Sequence, residues 1–391
     1  MFSLPLELLF HVFEKEYYTS SGTPNYKHLK ACALVCRSWS GPAQSLLFRS
    51  AIELSNHNIH TFHAALLSSA ARGKALGNCV RILAMSISRT SDKSFGPMTV
   101  ATLLQACPHV YELALSLYGI NIEEEETLEK LKVAGQRLKA LTLVHHGTQS
   151  PILFHLLRIW PNIQFLKVGS RIRTLPWRTT PSPPSERNTE DAGELRQRNG
   201  AEVCLYDLVL SIFPAPKVLS WLLASSADSL RILELRQLPC LTERNILARH
   251  APQLRSLRLW CYNDDSVALL RMCTALEELV LYGLEPSPCR PLVPNLPPTI
   301  EHFAFGIRDY HSCISLQPII SAVDAHPNLK VLTFNKDPRQ RFQGCEILEA
   351  KCRMKGVEVV ISSVPCWVYE EPIIVDRFPR ARSVSNFTAM S

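Results

Sequence analysis

The sequence predicts an α/β chain in which a short helical segment precedes an irregular solenoid of strand-and-helix repeats. The strands are expected to form a curved parallel sheet with the helices on its convex side. Three observations carry this. Apolar residues recur at helical spacing in the first fifty positions. From residue 80 onward an apolar triplet at i, i+3 and i+5 returns nine times. Proline stands two residues before the triplet in the lead-ins Cys107-Pro108-His109, Trp160-Pro161-Asn162, Ala251-Pro252-Gln253 and His326-Pro327-Asn328.

At 391 residues and 46% hydrophobic content the chain can bury a large core. Its formal net charge is +7, but Lys and Arg are spread along the sequence without the aromatic-interleaved basic run of a nucleic-acid surface. No stretch reaches the ~18 uninterrupted apolar residues of a membrane-spanning helix. Met1 to Phe13 lacks the basic start of a signal peptide and carries Glu7 and Glu14 in and beside its apolar stretch. The 13 cysteines are scattered without regular pairing, as thiols in a reducing, intracellular compartment would be. The Asn386-Phe387-Thr388 sequon then stands idle.

In the N-terminal segment, residues 1–54, Ser3 can cap and Pro5 can start a helix whose apolar positions are Leu4, Leu8, Val12 and Phe13. Gly22 and Pro24 interrupt the pattern before a second helix through Leu29, Ala33, Leu34 and Cys36. A third carries Trp39, Leu46, Leu47 and Phe48 as buried or docking side chains. About fifty residues enclose little core, so such a segment rests apolar surface on something else.

The triplets begin at Val80, Val110, Leu138, Ile163, Leu230, Leu254, Leu276, Ile300 and Leu329, at intervals of 22 to 30 residues except for one of 67. In each, alternate side chains of a short strand enter the core while a helix or turn returns the chain. The array is expected to span residues 55–362 and to end on a strand at Val357 to Ile361. The long interval contains an insertion at about 174–200, rich in Pro, Ser, Thr and charge, which cannot offset its ordering entropy and is expected to be disordered. Residues 201–225 read as a helical return segment led by Leu205, Leu208, Leu210, Ile212 and Trp221. Glu123 to Glu126 read as an acidic first turn complementing a helix dipole. Residues 363–391 read as a C-terminal cap with a loose final dozen.

Leu4-Pro5-Leu6-Glu7-Leu8 followed by Leu34-Val35-Cys36-Arg37-Ser38-Trp39 resembles the F-box signature, over about Leu4 to Leu54 with a closing Leu47-Phe48-Arg49-Ser50. The triplets behind it resemble the irregular leucine-rich repeats that follow F-boxes in fungal proteins. The resemblance implies binding to a Skp-family adaptor, and through it to a cullin and a RING subunit, as the substrate receptor of an SCF-type ubiquitin ligase. Carried over by motif position, the docking residues are Leu4, Pro5, Leu8, Val35, Trp39 and Leu46. The segment from Phe13 to Leu29 departs from the family by being longer and lacking its proline-aspartate turn. A second reading of the same residues is a helical cap over the first repeat with Val35 and Trp39 as its core, compatible with docking. A ligase-independent repeat scaffold with a degenerate F-box is the alternative function.

No catalytic constellation stands out, and the reading is of a non-enzyme without cofactor or metal. Cys32 with Cys36 and Cys345 with Cys352 lack the partners of a zinc site. His60 and His63 read as helical surface residues. A protein substrate would meet the positions between and after the core triplets. Read in register, Arg236, Trp260 and Tyr282 form one lateral row, with Glu234, Arg258 and Val280 beside it, on the exposed concave face. Trp, Tyr and Arg are the types that most often anchor interfaces. The same row also reads as a solvated face, or as aromatics packed beneath the adjoining loops.

Overall fold

The apolar triplets become the rungs of parallel ladders. The structure, a computed structural model, describes residues 5–19, 22–55, 58–67, 70–88, 96–119, 124–146, 150–173, 200–284, 292–307, 314–335, 342–362, 370–380 and 382–390. Leu4, Glu123 and the insertion expected at 174–200, apart from Gly200, lie outside them. The chain divides into two compact units. One comprises residues 1–204 with Glu371–Ile373 and Arg382–Ser391; the other comprises Leu205–Glu370 with Ile374–Ala381.

The first unit opens with α1 (Leu6–Lys15), α2 (Tyr26–Val35) and α3 (Arg37–Arg49). Pro5 precedes α1, and the Asn25 side chain caps α2 by accepting from the His28 backbone N–H at 3.2 Å. Strands β1 (Ser50–Leu54), β2 (Ile82–Ser88), β3 (Glu112–Tyr118), β4 (Ala140–Val144) and β5 (Phe165–Val168) then pair side by side, all parallel. Helices α4 (Ile59–Leu67), α5 (Ala70–Cys79), α6 (Pro97–Ala106), α7 (Glu125–Ala134) and α8 (Ile152–Ile159) supply the crossovers that parallel neighbours require. The helical expectation up to residue 54 is corrected at its end. Ser50–Leu54 runs extended along β2, satisfying backbone groups that an open edge would leave unpaired. Register aligns Leu83, Leu113, Leu141 and Leu166 in one buried row and Met85, Leu115, Leu143 and Val168 in the next.

The second unit repeats the scheme through β6 (Asp207–Leu210), β7 (Ile232–Leu235), β8 (Ser256–Leu259), β9 (Glu278–Leu284), β10 (His302–Ile307), β12 (Val331–Asn335) and β14 (Glu358–Ser362), again parallel. A separate parallel pair joins β11 (Ile314–Ser315) to β13 (Phe342–Gln343). Helices α9 (Pro216–Leu222), α10 (Leu241–Leu247), α11 (Asp264–Leu270), α12 (Gln317–Ala325) and α13 (Cys345–Lys355) lie between them in the chain. Leu208, Leu233, Leu257, Leu279, Phe303 and Leu332 stack in register as one buried row.

Residues 201–225 are not one helical segment. They hold β6 and then α9, because Leu205, Leu208 and Leu210 carry the same i, i+3, i+5 spacing as the other triplets. Residues 386–390, within the stretch expected to be loose, are likewise ordered in the core. Residues 386–389 form α14 (Asn386–Ala389), and Phe387 and Met390 are buried among Leu9, Phe13, Tyr17 and Leu29. Asn386 is buried too, its side-chain N–H donating to Glu371 at 2.6 Å. The parallel-stranded α/β class follows the sequence reading, and no helix among the described residues is long and apolar enough to cross a membrane.

Candidate docking surfaces

In the N-terminal helices apolar side chains outnumber the core positions available. Helix α1 turns Leu9 and Phe13 inward, where they meet Leu29, Cys32, Ala43 and Leu46. Its other face leaves Leu6, Leu8 and Val12 each more than half exposed, and α2 ends on Leu34 and Val35 at 86% and 60% exposure. A helix stabilised only by its own core would carry polar side chains there. Large apolar side chains concentrated on so small a module mark a surface made to be covered.

Of the docking residues expected from the sequence, Pro5, Leu8 and Val35 are exposed. Trp39 is half-buried, edge-on to Phe13 with ring centroids 5.3 Å apart. Leu46 is wholly buried, so its expected docking role is corrected: it holds α3 against the helices that α3 packs on, α1 and α2. Leu6, Val12 and Leu34 are surface members that the motif does not single out. The signal that could have found them is the excess of apolar positions around α1, which no single helical stripe accommodates.

In the second unit the expected lateral rows do stand side by side: Glu234 aligns with Arg258, and Arg258 with Val280. Their exposure is corrected. Glu234, Arg258, Val280 and Tyr282 are buried, whereas Trp260 is 37% exposed and the Arg236 side chain equally so. Trp260 and Tyr282 lie 6.1 Å apart, ring to ring. The sheet carries a buried ion chain that sequence reading did not anticipate. Arg258 donates to Glu278 on the adjoining strand at 2.7 Å, and Ser256 donates to the same oxygen at 2.6 Å. His302 Nδ1 lies 2.6 Å from the second oxygen of Glu278, and its Nε2 lies 2.9 Å from the Thr333 hydroxyl. Arg258 also pairs with Glu370, which pairs with Arg380 at 2.8 Å, and Arg380 reaches Asp207 at 2.8 Å.

The electrostatics follow from burial. Desolvation alone would push the Glu278 carboxyl up, but Arg258 and the His302 hydrogen bond hold it well below the usual carboxylate range. At Glu370 and Asp207 burial wins and the carboxyls are pushed up in spite of the arginines. Burial and the Glu234 carboxylate raise the Tyr282 phenol. Such a chain is costly to break, because each lost partner leaves a buried charge alone.

Cys32 and Cys352 are buried free thiols, while Cys36 is an exposed one whose ionisation the Ser38 hydroxyl favours. His60 and His63 both lie on α4; His60 is exposed as expected, whereas His63 is half-buried. Among the described residues no group of His, Cys, Asp and Glu is placed to hold a metal ion. The described residues thus hold an exposed apolar helical surface in the first unit and a buried charged sheet face in the second. No protein-family model and no curated protein matches the chain.

Proposed function

We propose that the chain is the substrate-receptor subunit of an SCF-type cullin-RING ubiquitin ligase, working inside the cell. In this reading the three N-terminal helices are an F-box that docks on a Skp-family adaptor. The parallel strands behind them are a leucine-rich-repeat-like solenoid that holds a protein substrate. The receptor makes and breaks no bond itself; it brings substrate lysines to a charged conjugating enzyme, and positioning supplies the rate. The observation that carries the reading is the outward apolar surface of α1 and the end of α2, where Pro5, Leu8 and Val35 stand at the positions the F-box resemblance marks for contact.

Titration of the purified full chain with a Skp-family adaptor tests this. Leu8→Asp and Val35→Asp alter exposed positions, so the fold should survive while binding weakens at least about a hundredfold through desolvated charge in the interface. Adaptor binding that is absent in the native chain, or indifferent to both substitutions, would sink the reading. Leu46→Ala is not a usable probe, because Leu46 is core. A second reading, a repeat scaffold working without a ligase, is favoured by the unusual α1–α2 connection. There Tyr18 bridges Pro24, and the Gly22 carbonyl accepts from Arg382 at 3.0 Å, so the segment serves the chain's own C-terminal residues. Absence of adaptor binding would select that reading.

A further inference from the structure

Strands β7 and β8 are buried at all four of their positions, so both faces of the second unit's sheet are covered there. In the first unit β3 and β4 instead alternate buried with half-exposed residues, as a sheet covered on one face does. Part of the second covering is the chain's own C-terminal segment, residues 370 and 374–380. Glu370 pairs with Arg258 and Arg380 with Asp207, the two ends of the segment standing ten positions apart in the sequence. Between them Arg255 donates to the Val375 and Asp376 carbonyls at 3.1 and 2.8 Å and lies over the Phe378 ring, its guanidinium carbon 5.5 Å from the centroid.

Most of these attachments are ion pairs and hydrogen bonds to backbone, with Phe378 the one large apolar side chain of the segment that is buried; Ile374 is 58% exposed. Asp207 could not be left bare, since an unpaired buried charge is strongly destabilising, and Arg258 would keep only Glu278 as its partner. They could exchange one partner for another of the same chemistry, because the charges are then paired again. The fit of the present occupant is also incomplete. Among the described residues, one Asp207 oxygen and the Arg380 Nε are buried without a hydrogen-bond partner, and an occupant that paired them would be held more tightly.

We propose that this sheet face is a peptide-binding surface which Glu370 and residues 374–380 occupy as a self-ligand. Its partner is an extended peptide that offers an acidic side chain to Arg258 and, some ten residues on, a basic one to Asp207. The proposal deepens the substrate-receptor reading by naming the substrate's chemistry, and it rests on that reading only in taking the second unit as the partner-binding part. Adaptor docking does not enter it. The segment competes intramolecularly, so an external peptide gains access only when the segment's own contacts are weakened.

The test uses the full chain and, as probe, a fluorescently labelled synthetic peptide of residues 368–381, followed by anisotropy. The native chain should bind it weakly. A chain carrying Glu370→Ala and Phe378→Ala should bind it on the order of tenfold tighter or more. A probe with Glu370→Ala and Arg380→Ala should lose that gain. Equal binding by native and doubly substituted chains, or equal binding of both probes, overturns the proposal. Should the double variant fail to fold by circular dichroism, Glu370→Gln keeps the side chain's shape and decides the matter by proteolysis. Trypsin should then cut after Arg377 and Arg380 on the order of tenfold faster than in the native chain, and an unchanged rate overturns the proposal. Adaptor titration of the same proteins is expected to be unaltered, so failure here is distinguishable from failure of the F-box reading.

Discussion

Phe387→Ala measures whether the C-terminal residues are a working part of the N-terminal core. Phe387 is 6% exposed, packs edge-on to Tyr17 with centroids 5.6 Å apart, and carries the Arg49 guanidinium 5.2 Å above its ring. Truncating a buried phenylalanine costs about 3–5 kcal/mol through lost transfer energy and the cavity left behind. The Arg49 contact accounts for about 0.5–1 kcal/mol of such a figure at a part-exposed site. Taking the lower end, about 3 kcal/mol, local opening of the cluster becomes roughly a hundredfold more frequent, since 1.4 kcal/mol is a factor of ten. Hydrogen–deuterium exchange of the α1 backbone amides reads that directly, because Leu9 and Phe13 share the cluster with Phe387. Ile374→Ala, at an exposed position of the same C-terminal stretch, is the control and should leave α1 protection unaltered. If Phe387→Ala accelerates α1 exchange by less than about threefold, the terminal residues are passengers and the reasoning fails.

Two further outcomes follow from individual contacts. Burial pushes the Glu112 carboxyl up to about 7, with Arg382 and Lys167 pulling it only part of the way back. The folded-state value then exceeds the unfolded one, so the unfolded chain releases its proton first and native stability falls as pH rises from about 4.5 to about 7. Glu112→Gln should raise the melting temperature at pH 8 and leave it unaltered below pH 4.5; an equal effect at both pH values would contradict the assignment. Gly135→Ala should be destabilising, because its new Cβ would lie 2.2 Å from the Trp160 indole nitrogen, which donates to the Leu131 carbonyl at 3.0 Å. Overpacking of this kind costs about 1–3 kcal/mol, and a melting temperature lowered by less than ~1 °C in a thermal scan would refute the clash.

Much of the architecture is legible in the residue order because its signals are local. Core positions of a strand sit at fixed offsets, so Leu233 with Leu235 and Leu257 with Leu259 announce both the strand and its inward face. Even the correction at β6 lies within this signal, since Leu205, Leu208 and Leu210 obey the triplet rule. They escaped it because the surrounding apolar density also suits a helix. The exposed docking candidates were legible in part: the motif picks out Pro5, Leu8 and Val35, and Leu46 with them. Helical periodicity does not say which of two apolar stripes meets the core, and Leu46 answers that question only once α3 is packed against α1 and α2.

What the residue order determined alone is therefore what depends on neighbours a few positions away: helices α1 to α3, the repeating strands, their register and the parallel-stranded class. What only the tertiary structure decided is which of those side chains are covered and by what. Glu234 and Arg258 are polar residues at strand positions that alternation assigns to an open face. They are buried in a unit to which residues some 110 positions downstream return, pairing Arg258 with Glu370. Phe387 completes a core that begins with Leu9. Contacts of such separation leave no periodic trace, because their stability comes from burial and charge pairing in three dimensions, and any residues of the right volume and sign could have supplied them.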